Sequence, residues 1–338
     1  MAAPRHIDVS ILVVSYNTRE LTLACLDSIV AETRDVVFEV IVVDNASNDG
    51  SAEALAGHPA VTKLIALEDN IGFARANNLA AAEAEGGLLL LLNPDTVVLD
   101  RAIDRLAAFA RLCPHARIWG GRTCHADGTL NPASFWRRMT PWNLFCRASG
   151  LTGLLPSTTL FNGEAEGGDR RDHIRYVDIV SGAFLMIDRG MWRQLGGFDP
   201  EFFMYGEEAD LCLRARSHGA APLVTPAATI IHLGGASEHV REDKMVRLLA
   251  AKALLIERHF APGTRRLGRT LNALWPLSRL LVFAIAGVAT GSASLRDKAA
   301  VWQRIWSRRA EWIGGYRSGR MVVSPRRRAL GRLATSSG

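Results

Sequence analysis

The stretch VIVVDNASNDGS at residues 40–51 decides the fold. Four apolar residues run without a break into Asp44, and a Ser/Asn/Asp/Gly cluster follows. A short apolar run bounded by turn residues reads as a strand buried on both faces, and the polar cluster as a turn and helix start. The layout recurs at 11–14, which runs into Ser15-Tyr16-Asn17, and at 88–92, which runs into Asn93-Pro94-Asp95. In open α/β sheets, ligands bind in the crevice outside the carboxyl ends of the strands. Three strand tips with polar, non-basic residues, two of them bearing a carboxylate, therefore predict a binding face.

Outward from these tips, strand and helix signals alternate. The strand at 11–14 precedes an amphipathic segment at 21–30, and the strand at 38–43 precedes a short helix after Gly50. A weaker strand at 61–66 leads through a loop to an Ala-rich helix at 73–84. After the strand at 88–92, one apolar face predicts a helix over 100–112. Such alternation predicts an α/β fold with a mostly parallel central sheet covered on both faces. From 123 to 175 the pattern dissolves into Gly, Pro, Trp and Arg, which reads as an irregular insertion or lid. Order returns as strands at 176–180 and 183–187, a helix at 207–217, short strands at 223–225 and 229–233, and a helix at 244–259.

With 338 residues, 48% of them hydrophobic, the chain can bury a large core. Its cysteines (Cys25, Cys113, Cys124, Cys146, Cys212) are odd in number, widely spaced and without a C-x-x-C pair. That argues against a disulfide framework or a zinc site and predicts core thiols in a reducing compartment. The N-terminus lacks a long apolar run, so no signal peptide is expected. Charge is uneven. Residues 261–338 carry 15 Arg+Lys against 2 Asp+Glu, a net of +13, whereas the rest carries 25 basic and 32 acidic side chains, a net of −7. This basic tail contains the uncharged stretch 280–295, short of the ~20 residues that span a bilayer. Trp302, Trp306 and Trp312 interleave with Arg304, Arg308 and Arg309, as in helical segments that lie on anionic membranes. No nucleic-acid partner is expected, because the body is acidic and lacks a recognition motif. The reading is of two units: a domain over 1–260 and a basic, mainly helical membrane-associating segment over 261–338, its end solvated and disordered.

VVSYN, VVDNASNDGS, NIGFARANN, LLLLNPD, GGFDPEFFMYGEEADLCLR and HLGGAS occur in the order seen in family 2 glycosyltransferases. Over residues 7–237 the chain is most similar to the bacterial rhamnosyltransferase branch. The resemblance implies a GT-A-type nucleotide-sugar-binding domain and a single in-line displacement with inversion at the anomeric carbon. It implies nucleotide-binding roles for Ser15, Asn17, Asp44, Asn70, Gly72, Asn77 and Asn93. Helix capping is the competing role for Asp44, and an exposed helix face for Asn77.

A divalent metal, Mg or Mn, would sit at Asp95 and His232. Hard cations prefer carboxylate and phosphate oxygens, and neutral imidazole also ligates. The family's D-x-D pattern is Asn93-Pro94-Asp95 here, so the first carboxylate is missing; Asn-Pro-Asp is also good turn chemistry. His232 also reads as an ordinary polar strand tip, followed by a glycine loop over 234–237 suited to phosphate. Glu208 is the expected general base, with Glu207 in reserve. Clustered acids raise one another's pKa, although a helix N-terminus favours acids in any case. Asp210 reads as structural, paired with Arg214. Phe198, Asp199 and Tyr205 resemble the family's acceptor-side loop, with a core plug as the competing role for Phe198.

The expected activity is inverting transfer of a sugar, L-rhamnose from dTDP-rhamnose, from a nucleotide-sugar donor to a polyprenyl-diphosphate-linked glycan acceptor in cell-envelope polysaccharide synthesis. The enzyme would be cytoplasmic and peripheral, held to the anionic inner face of the plasma membrane. Two rivals stay open. A non-catalytic nucleotide-sugar- or carbohydrate-binding protein would explain the missing carboxylate. A sugar nucleotidyltransferase would share the fold type, but loop 15–19 lacks the glycine such enzymes use.

Overall fold

The computed structural model describes residues 6–165, 171–234 and 240–316. The first third alternates strand and helix: β1 (Val9–Ser15), α1 (Arg19–Glu32), β2 (Phe38–Asp44), α2 (Ser51–Ala56), β3 (Lys63–Ala66), α3 (Phe73–Ala82) and β4 (Leu88–Leu92). β5 (Thr96–Val98), α4 (Ala102–Leu112) and β6 (Ile118–Cys124) follow, then β7 (Phe135–Trp136), α5 (Pro141–Ser149), α6 (Leu151–Leu154), β8 (Arg175–Tyr176) and β9 (Ile179–Val180). The remainder is β10 (Phe184–Asp188), α7 (Arg189–Leu195), α8 (Glu207–Ser217), β11 (Leu223–His232), α9 (Arg241–His259), α10 (Pro262–Ala289), α11 (Ala293–Ser307) and α12 (Arg309–Trp312).

Among the described residues one large sheet runs in the order β3-β2-β1-β4-β10-β6-β11-β5, with β8 against β11. β1 to β4 are parallel, as their unbroken apolar runs require: Ile11, Leu12, Ile41, Val42, Leu90 and Leu91 are fully buried. Register sets the tips level. Ser15 pairs with Asp44, and Val13 with Leu92, so Val14 stands beside Asn93. Helices cover both faces and close a core on each side. The second half of the sheet is mixed. β10 is antiparallel to β4, Phe184 opposite Leu92, because the chain re-enters the sheet from the side of the tips. The two short strands expected at 223–225 and 229–233 are one strand, β11, whose register shifts between Val224 and Thr229. Pro226 lies in that shift and has no N–H for a ladder bond.

The segment read as an irregular lid holds defined structure. In α5, Leu144 and Cys146 are buried, Thr140 caps Asn143 N at 3.2 Å, Pro141 occupies the first turn and Gly150 ends the helix at φ +97°. The apolar face of α5 meets α10, more than a hundred residues away in sequence: Ser278 donates to the Ala148 carbonyl at 2.6 Å and Arg279 to that of Arg147 at 2.9 Å.

The basic segment is likewise part of the body as far as it is described. Trp275, Ile305 and Trp312 bury themselves against Val246, Leu249 and Ala250 of α9, so Trp312 does not reach a membrane surface. The uncharged stretch 280–295 is split, since α10 ends at Ala289 and Gly291 turns the chain at φ +68°. Pro276 does not stop α10; it is buried on the packed face of the helix. The tail expected to be disordered, from 323 on, lies outside the described residues.

Candidate functional site

A cavity of about 970 Å³ opens at the carboxyl ends of the parallel strands, within the size range of small-ligand sites. Its wall includes Asn70, Asn93, Asp95, Tyr205, Glu207, Glu208 and His232, which the structure gathers from four separate stretches of sequence.

The other candidates stand behind this wall. The Ser15 hydroxyl is buried under β1, 3.3 Å from Thr18 Oγ1 and 3.0 Å from Thr22 Oγ1, and faces α1 rather than the cavity. Asn17 has a left-handed backbone (φ +53°); its side chain accepts from Asn48 N at 2.8 Å and its own N–H donates to Ser47 Oγ at 2.9 Å. It thereby joins the loop after β1 to the loop after β2. Asp44 braces the latter, its Oδ2 accepting from Ser47 N at 3.1 Å. Asp44 Oδ1 is buried and has no partner among the described residues. A buried acceptor without a partner is costly, which leaves Asp44 an unused oxygen for a ligand N–H or O–H.

Gly72 was expected to let a ligand approach. What approaches is the chain itself. At φ +86°, a Cβ there would come within 2.5 Å of the Phe203 carbonyl, which accepts from Phe73 N at 2.8 Å. Asn77 is buried and donates to the Phe73 carbonyl at 3.0 Å within α3. Sequence reasoning missed Asn45, on the cavity wall. It donates to Asn70 Oδ1 at 3.0 Å and accepts from Ile71 N at 3.0 Å, holding the loop after β3 over the tip of β2.

Asn93, Asp95 and His232 converge because β5 turns back after Asp95 and pairs with the end of β11, His232 opposite Thr96. His232 Nε2 lies 3.3 Å from Asp95 Oδ1 and 3.3 Å from Asn93 Nδ2. The carboxylate asks this nitrogen for a proton and the amide offers it one, so it cannot serve both. Asn93 Oδ1 and His232 Nδ1 are buried without partners among the described residues. Oxygen and imidazole donors in unresolved competition fit a hard divalent cation. The metal candidates Asp95 and His232 thus stand together, with Asn93 in place of the missing carboxylate. Of the glycine loop after His232, residues 235–237 lie outside the described residues.

The acids come from α8, whose N-terminus Gly206 sets at φ +87°. Asn93 N donates to the Ala183 carbonyl at 3.2 Å, and a Cβ on Gly182 would lie 3.5 Å from that of Glu208. The absent side chain at Gly182 therefore brings Glu208 beside the tip of β4. Burial, then the neighbouring Glu208 charge, pushes the Glu207 carboxyl well above its usual range, and Glu207 Oε2 has no partner among the described residues. Burial also raises Glu208, against bonds from backbone N–H groups of the helix start. Asp210 goes the other way. Burial opposes its charge, but His259 at 2.8 Å and Arg214 at 2.7 Å outweigh it and lower its pKa. Arg214 also donates to the Leu195 and Gly197 carbonyls at 2.9 Å each, so Asp210 anchors the loop over 197–206.

That loop is stitched by a second residue absent from the sequence reading. Asn78 accepts from Phe198 N and donates to the Phe198 carbonyl, both at 2.9 Å. Phe198 is fully buried against Trp192, a core plug rather than an acceptor contact. Asp199 caps Glu201 N at 2.9 Å and pairs with Arg258 at 3.1 Å, also away from the cavity. Only Tyr205 of the three acceptor-side candidates faces in, at φ +70°, with Lys244 Nζ 5.9 Å from its ring centre.

A family model described as glycosyl transferase family 2 matches residues 10–174. Over those residues the chain is similar to that family. It is 29% identical over 238 residues to the O-antigen biosynthesis protein RfbC of Myxococcus xanthus, covering 68% of this chain and 17% of that one. It is 27% identical over 208 residues to the N-acetylglucosaminyl-diphospho-decaprenol L-rhamnosyltransferase of Mycobacterium tuberculosis, covering 57% of this chain and 66% of that one. The match thus spans less than two thirds of either relative's own length. In structure, the mannosyltransferase PcManGT of Pyrobaculum calidifontis, solved in complex with GDP-Man and Mn2+, superposes with a TM-score of 0.53 at 18% identity, covering 92% of this chain and 86% of that one. At that identity the likeness establishes the fold, which is GT-A.

Proposed function

We propose that this chain is an inverting family 2 hexosyltransferase that moves a sugar from a nucleotide donor to a lipid-linked glycan. The observation that carries the reading is the placement of two carboxyls with raised pKa, the buried Glu207 and the half-buried Glu208, beside the strand tip where Asp95 and His232 meet. Glu208 is the base. It takes the proton of the acceptor hydroxyl as that oxygen bonds to the anomeric carbon and the bond to the donor diphosphate breaks. Glu207, the more strongly raised, favours its neutral form and can donate a hydrogen bond across the cavity, which suits positioning rather than proton removal. Asn45, Asn70 and the unused oxygen of Asp44 would read the nucleoside. Asp95 and His232 would hold a divalent cation, Mg or Mn, that neutralises the charge developing on the leaving diphosphate.

The mycobacterial relative's name supports L-rhamnose as the sugar and a prenyl-diphosphate-linked N-acetylglucosamine as the acceptor. Association with an anionic membrane from the cytoplasmic side rests on α10, which is long and apolar enough to cross a membrane and exposes Leu274, Leu281, Ile285 and Val288 along one side. Its other side is packed on the domain, which favours lying on the surface over spanning. The non-catalytic rival is weakened, because His232 stands beside Asp95 where the missing carboxylate left a gap. The test is transfer from a panel of nucleotide sugars, dTDP-rhamnose included, to prenyl-diphosphate N-acetylglucosamine with and without Mg or Mn. Metal-dependent transfer with inverted stereochemistry is expected, and binding of donor without turnover of any acceptor would overturn the reading.

A further inference from the structure

On the far side of Glu207 and Glu208 from the strand tips, the same cavity carries a buried charge cluster that the reaction so far leaves unused. A Cβ on Gly206 would meet Ala251 and Leu255 at 3.2 and 3.3 Å, so the start of α8 abuts α9 around Lys252. Lys252 is 7% exposed and lines the cavity. Its Nζ donates to Glu164 Oε1 at 2.7 Å, with Met139 Sδ, a weak acceptor, at 3.8 Å. The other Glu164 oxygen accepts from Arg147 Nη2 at 3.0 Å. Glu164 is held ionised: burial works against its charge, but Lys252 and Arg147 lower its pKa to about 2. Among the described residues the cluster therefore holds two cations against one anion. Arg147 Nε is buried with no partner among the described residues, and an ammonium with three donors has one good acceptor. Buried, under-partnered donors with an excess positive charge are an anion site, and their planar and tetrahedral N–H geometries suit phosphate oxygens.

The surroundings narrow the anion. Arg147 packs on Trp275 of α10 at 4.9 Å, and Arg279 of α10 donates to the Arg147 carbonyl. Met139, Leu248, Leu255 and Phe260 give this part of the cavity an apolar wall. The cluster thus lies between the two acids and the helix whose exposed side is apolar.

We infer that Lys252 and Arg147, set by Glu164, bind the diphosphate of the lipid-linked acceptor, holding its first sugar toward Glu208 while its prenyl chain leaves along α10. This rests on the acceptor class proposed above, but the site can be tested without sugar transfer. The probe is farnesyl diphosphate, titrated calorimetrically into the full chain in the presence of saturating dTDP. Binding that persists with dTDP bound is expected; competition between the two would assign the cluster to the donor's diphosphate and overturn the inference. Farnesyl monophosphate should bind at least tenfold more weakly. Lys252→Met, which leaves Glu164 and Arg147 balanced, should weaken farnesyl diphosphate at least tenfold, and Lys252→Arg should restore most of it. Glu164→Gln, which removes the anion that both cations pair with, should tighten it. A misfolded variant cannot bind more tightly, so opposite signs for Lys252→Met and Glu164→Gln exclude a merely structural effect. In transfer assays Lys252→Met should raise the KM for lipid acceptor with the KM for nucleotide sugar unmoved. Equal affinity of wild type and Lys252→Met for farnesyl diphosphate would sink the inference. Tight farnesyl diphosphate binding in a chain that transfers no sugar would sink only the reading it rests on.

Discussion

At the scale of single residues, the site separates groups that touch the cavity from groups that hold it in shape. Asp95 belongs to the first kind. Asp95→Ala should abolish metal-dependent transfer and calorimetric Mn binding while far-UV circular dichroism stays unchanged; transfer at the wild-type rate would remove the metal assignment. Glu208→Gln keeps the shape and removes the proton acceptor, so turnover should fall by about two to four orders of magnitude with donor affinity retained. Loss confined to Glu207→Gln would move the base by one residue. Glu207 also carries a stability signature. Its folded pKa lies well above the value of 4.5 it has when free, so its ionisation disfavours the folded state. Stability linked to this group is full below that value and is lost as pH rises through the raised one. Glu207→Gln should therefore raise the melting temperature at pH 8 more than at pH 4. An unchanged or larger gain at pH 4 would contradict the buried, raised carboxyl.

Elements were legible where their pattern is local. The five-leucine strand β4 and the helix α8 stand where the sequence places them, since each signals itself by an apolar run or by capping acids. The α5 and α10 pair was not, because each apolar face is explained only by the other. The loop over 197–206 shows the same limit. Its aromatics and Asp199 resemble an acceptor loop, yet Phe198, Asp199 and Gly72 are spent on fixing it to α3 and α9. Gly72→Ala tests this. The backbone there (φ +86°, ψ 165°) is a glycine conformation whose strain costs about 1–3 kcal/mol in other residues, and the Phe203 carbonyl leaves no space for a Cβ. Urea unfolding should show a loss of at least that size. A loss below about 0.5 kcal/mol would mean the loop does not depend on this contact.

For the molecule as a whole, the C-terminal helices complete the core and present a surface. A chain ending at His259 would expose Val246, Leu249 and Ala250, which Trp275, Ile305 and Trp312 otherwise cover. Such a chain should aggregate or melt well below the full-length protein, and an unchanged melting temperature would restore the view of a separate tail. The surface itself is the apolar side of α10, with Arg265, Arg266 and Arg269 near its start and Arg296 and Lys298 in α11. Each basic side chain close to an anionic bilayer contributes about 1 kcal/mol, screened by salt, whereas buried apolar area is insensitive to salt. Co-sedimentation with anionic vesicles should weaken at high salt without vanishing. Ile285→Asp should reduce the salt-resistant fraction, because Ile285 is 69% exposed and supports no core. Full-length protein that ignores anionic vesicles at low salt would remove the membrane assignment.

The sequence alone determined the parallel half of the sheet and the position of the tips, and it singled out Asp95, Glu207, Glu208 and His232, which line one cavity. An unbroken apolar run has one low-energy fate, and polar residues at its end must lie at the rim. Tertiary structure decided what those polar residues do. Ser15, Asn17 and Asn77 carry groups as suited to a ligand as those of Asn45 and Asn70, but only the latter two line the cavity. It also decided that Gly72 makes room for the chain and not for a ligand, and that Glu164, Arg147 and Lys252, dispersed over 106 positions, share one pocket. Side-chain orientation and long-range pairing set these outcomes, and neither has a period that can be read along a chain.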